Sequence, residues 1–187
     1  MKFLIVGLGN IGNEYAHTRH NIGFDIADAF VAKHQQTFQP DRYADYAQLS
    51  IKGKQVHIIK PTTYMNLSGK AVRYWMQTLK IEPAQILVLM DDLAIDFGKI
   101  RIRGNGSDAG HNGLKNINEL LQTQNYPRLR FGIGNNFPKG RQVEFVLGKW
   151  SEEEQQKLPE LIKHSMDAIE AFSQIGLERT MNFYNIK

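Results

Sequence analysis

The chain has 187 residues, 42% of them hydrophobic and 22% charged, with a formal net charge of +4. That length suits one domain able to bury its own core, and the composition is globular rather than disordered. With no cysteine, disulfides, thiolate nucleophiles and sulfur-ligated metals are excluded; the opening apolar run is too short for a signal peptide or membrane span, so a soluble, cytoplasmic protein is expected.

Residues 2–6 are a β-branched and aromatic run that stops at Gly7, the pattern of a buried strand. Ile22, Ile26, Ala27, Phe30 and Val31 then recur at helical spacing after Asn21. Residues 46–51 and 56–60 flank a Lys-Gly-Lys turn as the arms of a hairpin. Ser68 is placed to cap a helix with the apolar stripe Ala71, Val72, Trp75, Met76 and Leu79. Residues 86–90 read as a second buried strand ending at Asp91 and Asp92, and residues 99–103 alternate basic and apolar side chains. A glycine-rich loop, a helix over about 113–121 and a strand over 129–133 follow. Ser151 to Glu154 form a capping box for a long amphipathic helix that runs towards Gly176 as its stop. Strands alternating with helices, interrupted by one hairpin, predict a single α/β domain over residues 1–187. Its twisted mixed β-sheet should carry helices on both faces.

Charge is uneven along the chain. Residues 1–98 hold 10 basic and 9 acidic side chains, residues 99–149 hold 9 and 3, and the remainder holds 4 and 7. The middle segment, at net +6, is either an unevenly charged solvated surface or a face for a phosphate backbone.

Gly7, Gly9 and Gly12 make a GxGxxG after a strand, which invites a dinucleotide reading. The confirming context is missing. Helical periodicity begins only after Asn21, and Asp25 and Asp28 fall inside that helix rather than at a strand end. A tight turn presenting Asn10 at the mouth of a strand fits better. His17 and His20 lie three apart but have no third ligand at metal-site spacing, so no metal is expected. No cofactor is expected either. No Gly-x-Ser-x-Gly elbow occurs. What remains is a set of polar residues beside strand ends: Asn10, His20, Asn66, Asp91, His111 and Asn112. A carboxylate beside an imidazole makes a general base, so His20 with Asp91 would activate water.

Five blocks resemble bacterial-type peptidyl-tRNA hydrolases, in the order of that family. They are Leu4-Ile-Val-Gly-Leu-Gly-Asn10 with Tyr15-Ala-His-Thr-Arg-His-Asn21; Lys60-Pro-Thr-Thr-Tyr-Met-Asn-Leu-Ser-Gly69; Asp91-Asp92-Leu93 with Phe97-Gly-Lys-Ile-Arg101; Gly106-Ser-Asp-Ala-Gly-His-Asn-Gly-Leu-Lys115; and Phe145-Val-Leu-Gly-Lys149. The resemblance implies hydrolysis of the ester between a peptide and the terminal ribose of tRNA by a monomeric enzyme, with peptidyl-tRNA as partner and no membrane. It implies that His20 is the base, that Asp91 stabilises it, and that Asn10 discriminates against a free amine. Tyr15, Tyr64, Met65, Asn66, His111 and Asn112 would meet the peptide or the tRNA end, and Arg103 and Lys139 the phosphates. The sequence departs from the family at Ile11, where proline is usual, and at Met90, where histidine is frequent. Asn135-Asn136 replace a more usual Arg-Pro, and Arg103 a common lysine. The alternative is a non-catalytic RNA-binding relative of the same fold.

Overall fold

A computed structural model describes residues 1–185. Seven strands, β1 (Lys2–Gly7), β2 (Gln39–Asp41), β3 (Ala44–Ile51), β4 (Lys54–Pro61), β5 (Ile86–Asp92), β6 (Ile100–Arg103) and β7 (Arg128–Gly132), form one sheet in the order β2-β3-β4-β1-β5-β7-β6. β1 runs parallel to β4 and β5, and β5 to β7. β2, β3 and β6 join antiparallel at the two edges. The mixed sheet expected from the alternation of elements is therefore present.

Side chains of β1 alternate between two cores, as period-two geometry requires. Phe3 and Ile5 pack with α1 (Ile22–Lys33) and α5 (Glu152–Tyr184), through Ile26, Phe30 and Phe172. Leu4 and Val6 pack with α2 (Ser68–Leu79) and α3 (Asn112–Leu121), through Val72, Trp75, Leu114 and Ile117. Each fully buried aliphatic or aromatic side chain contributes about 1.5–3 kcal/mol by leaving water. Helices thus cover both faces.

The first glycines set where α1 sits. A Cβ on Gly7 would lie 2.4 Å from the Gly23 carbonyl oxygen, and one on Gly23 would lie 2.5 Å from the Leu8 nitrogen. Strand end and helix start meet backbone to backbone, filling the space that a pyrophosphate would need in a dinucleotide fold. The chain then turns through Gly12 (φ +109°) and a 3-10 turn over Arg19–Asn21 before α1 opens at Ile22.

Several expectations are corrected. Ser68 does not cap α2: it is the first helical residue, and its buried hydroxyl donates to the Met65 carbonyl at 2.7 Å. It thereby fastens the turn that precedes the helix. Gly176 breaks α5 rather than ending it, taking φ 85° and ψ 170° before the helix resumes to Tyr184. Leu177, Met181 and Tyr184 still have apolar surface to pack against the same core, which is why helix returns. Strand β3 begins two residues before the predicted start, and β2 and the five-residue α4 (Gln142–Val146) are additions. α4 buries none of its residues, so no apolar period announces it.

Candidate active site

Strands β1, β4 and β5 release their chains at the same end of the sheet, where parallel sheets gather ligand sites. Asn10 follows β1, Tyr64, Met65 and Asn66 follow β4, and Asp91 closes β5. His20 arrives on the 3-10 turn before α1, and His111 and Asn112 open α3.

Asp91 lies between two imidazoles. His20 Nδ1 is 2.9 Å from its Oδ2, and His111 Nε2 is 2.9 Å from its Oδ1. The two histidines are in different circumstances. His111 is the N-cap of α3, its Nδ1 accepting from the Gly113 and Leu114 amides at 3.1 and 3.3 Å. A nitrogen that accepts from two amides carries no proton, so the ring proton sits on Nε2 and is donated to Asp91. His20 likewise donates to Asp91 through Nδ1, which leaves its Nε2 as the nitrogen with a lone pair.

Electrostatics follow this geometry. Burial pushes the Asp91 carboxyl up, but the adjoining His20 and His111 outweigh it and hold the group well below the usual carboxylate range. Burial lowers the His20 value, yet the charge of Asp91 and its hydrogen bond prevail and leave it raised above 6.5.

Asn10 is clamped from both sides. Its backbone N–H donates to Asn21 Oδ1 at 2.9 Å, and Asn21 Nδ2 donates to its carbonyl at 2.8 Å. Its own Oδ1 accepts from the Met65 N–H at 2.7 Å, so its amide NH₂ is left to face the cleft. Tyr64, at φ 65° and 52% exposed, stands at the rim in a left-handed conformation costing about 1–3 kcal/mol.

The cleft has two lobes that share His20, Asn112, Val143 and Val146. One, of about 190 Å³, is lined by Met90, Leu93 and Ala94 with Asp91, Asp108 and His111. The other, of about 360 Å³, is lined by Asn10, Tyr15, Tyr64, Met65 and Asn66. Met90 adds an apolar side chain to the lining of the smaller lobe. The structure therefore gathers every sequence-derived cleft residue. It does not gather Arg103 or Lys139, which lie outside both lobes. Arg103 pairs in register with Arg128 at the start of β7, the far end of the sheet from Asp91.

Part of the charge of the basic segment is engaged within the protein. Arg128 is fully buried, donating to the carbonyls of Gly106, Gln124 and Tyr126. Arg130 pairs with Asp92 at 3.1 Å, Arg141 with Glu144 at 2.8 Å, and Lys149 holds the Ala16 carbonyl. Among the described residues, Lys99, Arg101, Arg103, Lys115 and Lys139 remain without a carboxylate partner.

His17 and His20 do not converge, since His17 turns to Asp25 at 3.0 Å. The ligand atoms of His20, Asp91 and His111 do lie within 4.8 Å of one another. Both imidazole–carboxylate contacts are hydrogen bonds, however, and an ion there would have to displace the proton from each. Among the described residues no helix is long and apolar enough to cross a membrane.

Sequence reasoning missed three supports. Asn21 sits where a helix cap belongs but makes no cap bond, serving Asn10 instead. Val143 and Val146 roof both lobes from α4. Arg19 ties the His20 turn to its surroundings, donating to Glu154 at 2.8 Å and the Phe145 carbonyl at 3.1 Å, with its guanidinium 4.1 Å over the Phe145 ring. The side chain of Arg19 is in the quoted motifs, but its partners are 126 and 135 residues away.

Fold and cleft together are a single α/β domain with an imidazole–carboxylate pair at the ends of its parallel strands. A family model described as peptidyl-tRNA hydrolase matches residues 4–187. The peptidyl-tRNA hydrolase of Porphyromonas gingivalis is 55% identical over 185 residues, covering 99% of this chain and 100% of its own length. That of Phocaeicola vulgatus is 53% identical over 187 residues, with 100% of both chains covered. The crystal structure of peptidyl-tRNA hydrolase from Acinetobacter baumannii superposes with a TM-score of 0.92 at 37% identity, covering 98% of this chain and 94% of that one. The chain belongs to the peptidyl-tRNA hydrolase family. This full-length likeness to named hydrolases sets aside the alternative of a non-catalytic RNA-binding relative.

Proposed function

We propose that His20, oriented by Asp91, is the base with which this chain hydrolyses peptidyl-tRNA. The reaction itself comes with membership of the family; the assignment of roles rests on one observation, the Asp91 carboxylate held between His20 and a His111 whose other ring nitrogen accepts from the amides of α3. His20 Nε2 takes a proton from water as the oxygen attacks the ester carbonyl. The tetrahedral intermediate then expels the ribose oxygen, which recovers the proton from His20. A positioned base contributes about 10²–10⁴-fold. Asn112 lines both lobes together with His20, which supports its amide as donor to the developing oxyanion. His111 has both ring nitrogens engaged inside the protein, so it serves as a positioning residue for Asp91 rather than as a substrate ligand.

Asn10 supplies a reason for rejecting a free amine. With its oxygen held by Met65, it offers the cleft an N–H donor. The carbonyl of a blocked amino group accepts that bond, whereas an α-ammonium only donates and would be desolvated opposite another donor. Tyr15, Tyr64, Met65 and Asn66 wall the same lobe and fit a peptide backbone read without side-chain selection. Arg103 and Lys139, outside both lobes, fit contacts to tRNA phosphates by charge and shape. A monomer acting in the cytoplasm, where translation supplies the substrate, completes this reading.

The test is release of N-acetyl-amino acid from N-acetyl-aminoacyl-tRNA. His20→Ala should lose at least about 100-fold in kcat while tRNA affinity stays near wild type. Near-normal turnover would remove His20 as the base.

A further inference from the structure

Beyond the cleft, the residues before β3 and the exposed side of α2 build a second feature at the same end of the sheet. Ala44, the first residue of β3, pairs with Pro61, the last of β4, and the Tyr43 carbonyl accepts the Thr62 N–H at 2.9 Å. Arg42 and Tyr43 therefore adjoin the segment that carries Tyr64 and Asn66. Lys70, Arg73 and Tyr74 stand at i, i+3 and i+4 on α2, one face of the helix, beginning four residues after Asn66.

These residues form a cationic and aromatic ledge. The Tyr43 and Tyr74 rings meet edge to face at 5.5 Å. The Arg42 guanidinium lies 5.1 Å from the first ring centre and 5.5 Å from the second, and Lys70 Nζ lies 4.9 Å over Tyr43. Trp75 Nε1 donates to the Arg42 carbonyl at 2.8 Å, so a buried side chain fixes the turn. Arg42, Lys70 and Arg73 are exposed, and among the described residues none has an ion-pair partner. The neighbouring Asp41 carboxylate accepts the backbone N–H of Arg42 at 2.7 Å instead.

We propose that this ledge binds the peptide arm of the substrate beyond the ester and favours acidic side chains there. The inference rests on the reading of the cleft given above. A peptidyl-tRNA leaves the scissile ester in two directions. The unpaired cations of β6 lie at one edge of the sheet, and the ledge lies on the opposite side, next to β3 and the lobe of Asn10 and Asn66. If the tRNA takes the first direction, the acyl arm takes the second. Tyrosine rings with cations already seated on them offer apolar contact and a charge for carboxylates together.

The experiment compares three substrates on the same tRNA and the same esterified residue: N-acetyl-aminoacyl-tRNA, and peptidyl-tRNAs extended by four glutamates or four glutamines. Wild type should prefer the glutamate peptide by about three- to tenfold in kcat/KM at low salt, with the preference shrinking as salt rises. The triple variant Arg42→Gln, Lys70→Gln, Arg73→Gln should lose the preference and treat the N-acetyl substrate as wild type does; Lys70→Gln alone should lose part of it. Equal loss on all three substrates would assign the ledge to tRNA and overturn the proposal. So would a wild type without the preference, or a triple variant that keeps it. Failure of wild type to hydrolyse even the N-acetyl substrate would instead strike the reading of the cleft.

Discussion

Asp91 is gripped by a histidine that must change protonation in turnover and by another whose second ring nitrogen is bonded to the N-terminus of α3. The second grip separates two properties that usually fall together. His111→Ala removes both the donor to Asp91 and the helix cap, so it should lower kcat by about 10–100-fold, as loss of an orienting partner does elsewhere. It should also cost about 1 kcal/mol of stability. Asparagine caps helices well but is too short to cap and reach Asp91 at once, so His111→Asn should recover stability without recovering kcat. Thermal melts beside steady-state rates check this, and joint recovery of both would mean that His111 acts only as a cap. At Asn10, replacing the exposed donor by an acceptor should blunt discrimination. Asn10→Asp should narrow the ratio of rates on N-acetyl-aminoacyl-tRNA and free aminoacyl-tRNA, and an unchanged ratio would place selectivity elsewhere.

Among the elements, the 3-10 turn bearing His20 is held by tertiary partners rather than by its own three residues. Glu154 Oε1 accepts both the Ser151 N–H at 2.9 Å and Arg19 at 2.8 Å, so the cap of α5 also steadies the turn. Ser151→Ala should remove the other half of that box, costing about 1 kcal/mol and lowering Tm by about 2–4 °C. Gly23→Ala should cost about 1–3 kcal/mol or more because the added methyl meets backbone. Calorimetry checks both, and a neutral Gly23→Ala would show that strand and helix can part at that contact. The periodic elements were legible in the sequence because burial writes its period into them: β1, β5, α2 and α5 all have an apolar stripe or run. The Ser151 capping box was legible for the same local reason, and it is observed. What stayed hidden depends on distant partners. Ser68 has the chemistry of a cap, but the preceding carbonyl claims its hydroxyl; α4 is short and fully buries none of its five residues; Gly176 reads as a stop until the apolar residues beyond it are seen to pack. In the site, the polar residues at strand ends were visible, and the quoted motifs implied their grouping. The His111 tautomer and the Asn21 clamp were not, since both are fixed by bonds to backbone amides and carbonyls.

Across the whole molecule, the site's charges couple activity and stability to pH. Asp91 has its carboxyl depressed below 3.8 in the folded state, so it contributes stability above that value and loses it as pH falls. His20 is raised above 6.5, so its contribution is full below that value and is lost as pH rises through the folded value. Asp91→Asn should therefore destabilise most between about pH 4 and pH 6.5, and less at pH 8.5. Urea unfolding at three pH values checks the sign, and a penalty independent of pH would contradict the pairing. The most direct measurement of the central claim is the pH profile of single-turnover hydrolysis of N-acetyl-aminoacyl-tRNA by wild type and Asp91→Asn. A base must be unprotonated to act, so the wild-type rate should fall as pH drops through the raised value of His20. Removing the carboxylate leaves burial to dominate, so in Asp91→Asn the acid limb should move to lower pH while the maximal rate drops by about 100-fold. An acid limb that stays in place in Asp91→Asn, or is absent from wild type, would contradict His20 as the base that Asp91 orients.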